Sequence, residues 1–140
     1  MAAAFGGGPI LSYGFIAGED LSAAQFKFVY LSADLTVKRC TAATDIPIGI
    51  LQNKPAVAGQ AANVVVAGVS RLVTGTGGAT LAAAIGVEAD SGAPGNVDGG
   101  RGVIKTANKD IGAAVVIQAA LEDEIAVVFV NCMNINKMSL

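Results

Sequence analysis

Residues 41–67 read TAATDIPIGILQNKPAVAGQAANVVVA, and this stretch decides the fold. It holds two runs rich in β-branched residues, 48–53 and 62–67, each bounded by Gly, Pro, Asn or Asp. Branched side chains suit a pleated surface and the punctuating residues suit tight turns, so both runs are predicted strands. Val64-Val65-Val66 is apolar without alternation, which predicts a strand covered on both faces.

The same grammar recurs on either side. Strands are predicted at 26–31, 36–40, 70–74, 87–90, 102–106, 113–120 and 124–131. Phe26-Lys27-Phe28-Val29-Tyr30 alternates enough to give one buried face. Val127-Val128-Phe129-Val130 reads, like the triple valine, as covered on both sides. Helix signals amount to two short turns, 20–24 and 80–84, below the length at which a helix holds itself together. Nine closely spaced strands predict an all-β fold, mainly β with one or two short helical turns, as a compact sandwich or barrel-like domain.

The chain also repeats itself. Thr41-Ala42-x-x-Asp45-Ile46 recurs as Thr106-Ala107-x-x-Asp110-Ile111, and each copy is followed by a glycine, Gly49 or Gly112, and an apolar run. Upstream, Leu21-Ser22-Ala23-Ala24 is echoed by Leu81-Ala82-Ala83-Ala84. Shared order favours duplication over chance. The expected organisation is an N-terminal arm at 1–18, a β-rich domain at 19–131 with pseudo-repeats at about 19–74 and 79–131, and a tail at 132–140.

Of the 140 residues, 53% are hydrophobic and only 14% are charged, against an ordinary charged share of about 25%. The excess is Ala and Val, since aromatics are 5% and Trp is absent. So small-sided and charge-poor a chain exposes apolar patches, and those mark partner surfaces. An oligomer or a docked subunit is expected. The net charge of −2, with basic residues scattered singly apart from Lys38-Arg39, argues against a nucleic-acid partner. Glu122-Asp123-Glu124 reads as a solvated turn. No membrane span is expected, because Gly, Asn and Gln break the uncharged stretches. Residues 1–18 carry Phe5, Pro9, Ile10, Leu11, Tyr13, Phe15 and Ile16, more large apolar groups than a disordered tail holds. Two readings stand side by side: an arm that orders against a partner, or an edge strand of the protein's own domain.

Reactive chemistry is sparse. The chain has no His, which removes the usual general base, the commonest metal ligand and the Ser-His and Cys-His pairs. Gly68-Val69-Ser70-Arg71-Leu72 lacks the closing glycine of a nucleophile elbow, and Gly75-Thr76-Gly77-Gly78-Ala79-Thr80 lacks the lysine of a phosphate loop. Asp90, Asn96 and Asp98 could offer oxygens to calcium, but the EF-hand spacing and its terminal Glu are missing. Cys40 beside Lys38-Arg39 is either an activated thiol or, as strand alternation favours, a small core residue. Cys40 and Cys132 fit reduced thiols better than a disulfide framework, with a single bridge as the alternative. Neither an enzyme nor a cofactor is expected.

The run Pro47-Ile48-Gly49-Ile50-Leu51-Gln52-Asn53, then Ala58-Gly59-Gln60, Val64-Val65-Val66 and Gly68-Val69-Ser70-Arg71, resembles the small capsid decoration, or cement, proteins of phages. Leu81–84, Ile111-Gly112-x-Ala114, Ala119-Ala120 and Ile125-Ala126-Val127 take the places of that family's later turn and strands. The resemblance covers about 20–130. It departs at Ala84, in the long 91–102 loop and in the glycine-rich 1–18 segment. It implies a non-enzymatic virion protein, made in the host cytoplasm and seated on the outer capsid surface. The implied partners are the major capsid protein and two further copies in a homotrimer. Phe5, Pro9, Ile10, Leu11, Tyr13, Phe15 and Ile16 are the capsid-contact candidates. The runner-up is another virion or surface β-module, tail- or fibre-associated or carbohydrate-binding, although sugar sites want exposed aromatics and this chain has few.

Overall fold

The computed structural model describes residues 10–92, 98–105 and 112–132. They form nine strands and no α-helix: β1 (Leu11–Ala17), β2 (Phe28–Ala33), β3 (Thr36–Arg39), β4 (Pro47–Leu51), β5 (Ala61–Val73), β6 (Ala84–Val87), β7 (Gly102–Ile104), β8 (Ala114–Gln118) and β9 (Ile125–Asn131). The all-β, barrel-like class expected from the sequence is the one that forms. The strands share one sheet in the order β1-β3-β2-β4-β5-β9-β8-β6-β7, with β1 also paired to β5. That extra pairing closes a five-stranded barrel. β1 runs antiparallel to β5 from Leu11↔Ala67 to Ile16↔Ala61, and parallel to β3 through Ile16↔Thr36 and Ala17↔Val37.

β5 belongs to both halves of the sheet. Its first part lies between β1 and β4, and from Ala67 to Val73 it pairs with β9. The sequence predicted two strands here, 62–67 and 70–74. They are one, because Gly68 turns to φ 111° while keeping its place in the ladder opposite Val130, a conformation open to a residue without Cβ. The neighbour order β7-β6-β8-β9 copies β3-β2-β4-β5. The second sheet also curls back on β5. Thr74 bridges Gly102 in parallel, and the Gly75 N–H donates to the Gly102 carbonyl at 2.8 Å. Thus β5 stands to β9 and β7 as β1 stands to β5 and β3. Residues 41–46 form the β3–β4 connection, whereas 106–111 lie outside the described residues.

Two apolar clusters fill the molecule. Ala17, Ala24, Val29, Val37, Ala62 and Val64, with Leu21 and Leu51, occupy the barrel. Interior width grows with strand number, so five strands enclose a narrow core that small side chains fill. At Gly49 even a methyl is excluded: a Cβ there would lie 2.3 Å from the Val65 carbonyl oxygen and 2.5 Å from Val64 Cγ1. In the second cluster Phe28 and Ile50, on the outer wall of the barrel, pack on Leu72, Ile85, Val128 and Val130 of the second sheet. Phe28, the largest fully buried side chain, sits in this layer between the halves.

Local departures have local causes. The helical turn expected at 20–24 is an Asx turn, in which Asp20 Oδ1 accepts from the Ser22 N–H at 2.9 Å and its hydroxyl at 2.6 Å. The one expected at 80–84 is a tight turn with Ala82 at φ 64°, which brings β6 forward to Ala84–Val87 from the predicted 87–90. Phe26 at φ 60° delays β2 to Phe28. Of the two readings open for 1–18, the described part is a strand of the protein's own barrel, β1, and residues 1–9 lie outside the described residues. Of the tail expected at 132–140, Cys132 instead packs in the core between the halves, and 133–140 lie outside the described residues.

Gly49→Ala should destabilise the protein by about 1–3 kcal/mol or more in guanidinium unfolding, because β4 cannot approach β5 past a methyl. Gly14→Ala, with nothing within 4 Å of its Cβ, should change stability by no more than about 0.5 kcal/mol.

Candidate functional site

The charged residues are spent on structure: one ion pair joins the two halves and others brace the second half. Arg39 at the end of β3 donates to both Asp90 carboxylate oxygens, at 2.7 and 3.2 Å, and to the Gly99 carbonyl at 2.8 Å. The Asp90 Oδ1 also accepts from the Gly99 N–H. The hydrogen bond from Arg39 holds the Asp90 carboxyl below its ordinary pKa. Arg101, nearly buried, donates to Glu88 at 2.7 Å and to Asp123, and Thr76 donates to Glu88 through its N–H and hydroxyl. Lys27 is buried in the same region, and burial followed by the charges of Arg39 and Arg101 pushes its pKa down. Glu122-Asp123-Glu124 is a turn, as expected, but a bonded one: Glu122 accepts from the Gly77 N–H and Glu124 from the Leu121 N–H.

None of these groups is arranged for reaction. Asp90, the first of the proposed calcium ligands, has both oxygens engaged by Arg39. Asn96 lies outside the described residues, and among those described no three acidic, Cys or His residues gather. Ser70 is buried, accepts from Gln52 at 2.9 Å and donates to the Arg71 carbonyl. Cys40 is the core residue of its two readings. It is fully buried, and burial, then the charges of Asp45 and Cys132, raise its thiol pKa far above the usual range. Burial pushes the Cys132 thiol up to about 12, and both cysteines are free. A recess of about 500 Å³ between Tyr30, Asp45, Pro47 and Cys132 is open to solvent. Its one carboxylate, Asp45, is occupied by the Thr41 and Ala42 N–H groups. No helix among the described residues is long and apolar enough to cross a membrane.

Large apolar side chains are exposed at several points, Leu31 and Leu35 about the β2–β3 turn, Ile46 and Val57 among them, and two strand faces gather several each. The first is β1. Of the capsid-contact candidates, Phe5 and Pro9 lie outside the described residues. Ile10, Leu11, Tyr13 and Ile16 are about half exposed, and Phe15 is partly buried against the barrel core. Tyr13 and Phe15 share a face, with ring centroids 5.0 Å apart and planes tilted by 57°. Ile16 points to the opposite face by strand alternation. The structure therefore brings Leu11, Tyr13 and Phe15 together at one barrel mouth and sets Ile16 apart.

The second place escaped sequence reading. The run 127–130 was expected to be covered on both sides, and its outward side is split: Val127 is buried, while Phe129 is open. Ala126, Val128 and Val130 face the core, while Phe129 is 50% exposed and Ile125 44%. Phe129 pairs with Val69 of β5 and with Val115 of β8, which is itself 47% exposed.

No family model and no curated protein matches the chain. Among solved structures it is similar to the head fiber gp8.5 N base in bacteriophage phi29, with a TM-score of 0.60 and 12% identity over 89% of this chain and 96% of that one. At that identity the likeness is one of fold.

Asp90→Asn should lower stability by about 1–3 kcal/mol at neutral pH, the scale of a lost charged hydrogen bond. Because the folded pKa is depressed, the contribution is whole above the unfolded value near 3.9 and fades as pH falls through the folded one. Urea unfolding of wild type and variant should therefore converge below about pH 4. In thiol titration at pH 8, both cysteines should stay unreactive in the native protein and react fully once it is unfolded.

Proposed function

We propose that this protein is a non-enzymatic structural component of a phage head, which binds the outer capsid surface as a homotrimer and stabilises the expanded shell. The observation that carries the reading is the fold shared over nearly the whole of both chains with a head fiber base. It is supported by the charge-poor composition, the occupied carboxylates and the buried thiols, which leave shape and apolar area as the means of action. β1 is the surface we assign to the capsid. Its exposed Leu11 and Tyr13 lie beside each other at the barrel mouth, and tyrosine combines a broad apolar ring with a hydroxyl that tolerates a wet rim.

The mechanism needs no reaction. One such mouth buries a few hundred Å² at most, a weak contact. Three held on one trimer make the later contacts intramolecular and can strengthen binding by ~10²–10⁴. A protein that binds only the expanded shell stabilises that state by mass action, by about 2.7 kcal/mol per site when free protein is ~100 Kd. A fibre-associated role is the second reading, favoured because the structural neighbour is itself a fiber base.

The wild-type protein should co-sediment with expanded capsids and not with unexpanded shells. Tyr13→Asp and Leu11→Asp should each weaken that binding about tenfold or more while leaving thermal unfolding unchanged. Wild-type binding by both variants would remove β1 from the mechanism, and failure of the wild type to bind any head would end the proposal.

A further inference from the structure

If the barrel mouth is given to the capsid, the second apolar surface is left without an occupant. It covers the outward side of three adjacent strands. Strand alternation points Ile125, Val127 and Phe129 of β9 away from the core, with Val127 already covered within the chain, and the register sets Val73, Arg71 and Val69 of β5 opposite them. Val115 and Ile117 of β8 extend the patch on the other side of β9, both 47% exposed. Leu121, 73% exposed in the β8–β9 turn, continues it at one end.

Two properties identify what this face fits. The first is charge. Among the outward residues of the three strands Arg71 alone is charged, its guanidinium drawn over the Phe26 ring, 5.9 Å from the centroid, and the acidic turn Glu122-Asp123-Glu124 borders the face at its Leu121 end. A face with almost no charge meets a copy of itself without like-charge repulsion, whereas charged groups on an unrelated partner would lose water and find nothing to pair with. The second is area. Five half-exposed large side chains present on the order of 400 Å², the size of a functional apolar patch. That is about half of the ~800 Å² each partner gives to a standard interface, and the flanking Val69, Val73 and Gln118 widen it. β9 also has the sequence of a strand covered on both faces, and a second copy would cover the positions left open, Ile125 and Phe129.

We infer that the outer face of β8, β9 and the second part of β5 is the surface through which copies of this chain associate. The inference rests on the homo-oligomeric reading above and gives it a location. It also separates two tasks along β5: its first part braces the capsid-facing β1, and its second part carries the contact between copies.

The test is sedimentation velocity of the full chain over micromolar concentrations, with Phe129→Glu, Ile117→Lys and, as a control on a distant loop, Val57→Lys. Wild type and the Val57 variant should sediment as one oligomer. The Phe129 and Ile117 variants should shift to monomer, with self-association weakened at least tenfold and circular dichroism and thermal unfolding as in wild type. A monomeric wild type, or face variants that keep the wild-type mass, would overturn the inference. Face variants that keep that mass but no longer bind expanded capsids would make this the capsid surface, overturning the inference while leaving the head-protein reading standing. Wild-type oligomers dispersed by the face variants, with no binding to any head, would uphold the inference and sink that reading.

Discussion

One strand holds the molecule together, and it does so by having two sets of neighbours. β5 spends its first residues closing the barrel against β1 and β4, then turns at Gly68 and spends the rest on β9. Every other strand belongs to one half. Seven antiparallel pairs from Ala67↔Asn131 to Val73↔Ile125 make the halves one sheet, and the Phe28–Ile50 layer packs them face to face. The Arg39–Asp90 pair pins the same seam from its polar side, and the Arg101–Glu88 pair ties β6 to β7 within the second half. Loss of β5 would therefore cost both halves at once.

The composition follows from the same geometry. A five-stranded barrel has room for Ala and Val but not for rings, and the contact at Gly49 shows how little is spare. Among the described aromatic residues Phe28 lies between the halves, Tyr13 and Phe129 are at the surface, and Phe15 packs on the barrel core without being fully buried. Few charges are needed inside, and few are present outside, which leaves a surface suited to contact more than to solvation. The apolar excess thus has one cause in the core and another on the surface.

Much of this was legible in the chain. The β-branched runs between Gly, Pro and Asn marked most strands, because pleat and turn preferences are local. Val64-Val65-Val66 was read as covered on both faces, and its residues are buried. The misreadings came where a non-local partner decides. Gly68 looks like a terminator until its pairing with Val130 is seen, and Leu11–Ala17 is a strand only because β5 and β3 flank it. Phe26 and Ala82 adopt left-handed backbone without being Gly or Asn, so nothing in their identity announces the turn. Of the candidate surface, Leu11 and Tyr13 stood out as large apolar groups in a glycine-rich segment. Phe129 and Val115 did not, since an apolar residue left open on a strand has the same sequence pattern as one facing a core.

The closure by β1 also carries a kinetic consequence. Leu11 pairs with Ala67 and Ile16 with Ala61, so the first strand made must wait for the fifth before the barrel can shut. Folds dominated by such distant pairings assemble in milliseconds to seconds, far more slowly than helical ones. During synthesis the nascent first half would hold its apolar interior open until β5 clears the ribosome. β5 itself would then keep one flank bare until the last strand arrives. A chain with so little charge to keep it apart from its neighbours is most vulnerable in that interval, and its yield should be limited by crowding of unfinished copies before any weakness of the finished one.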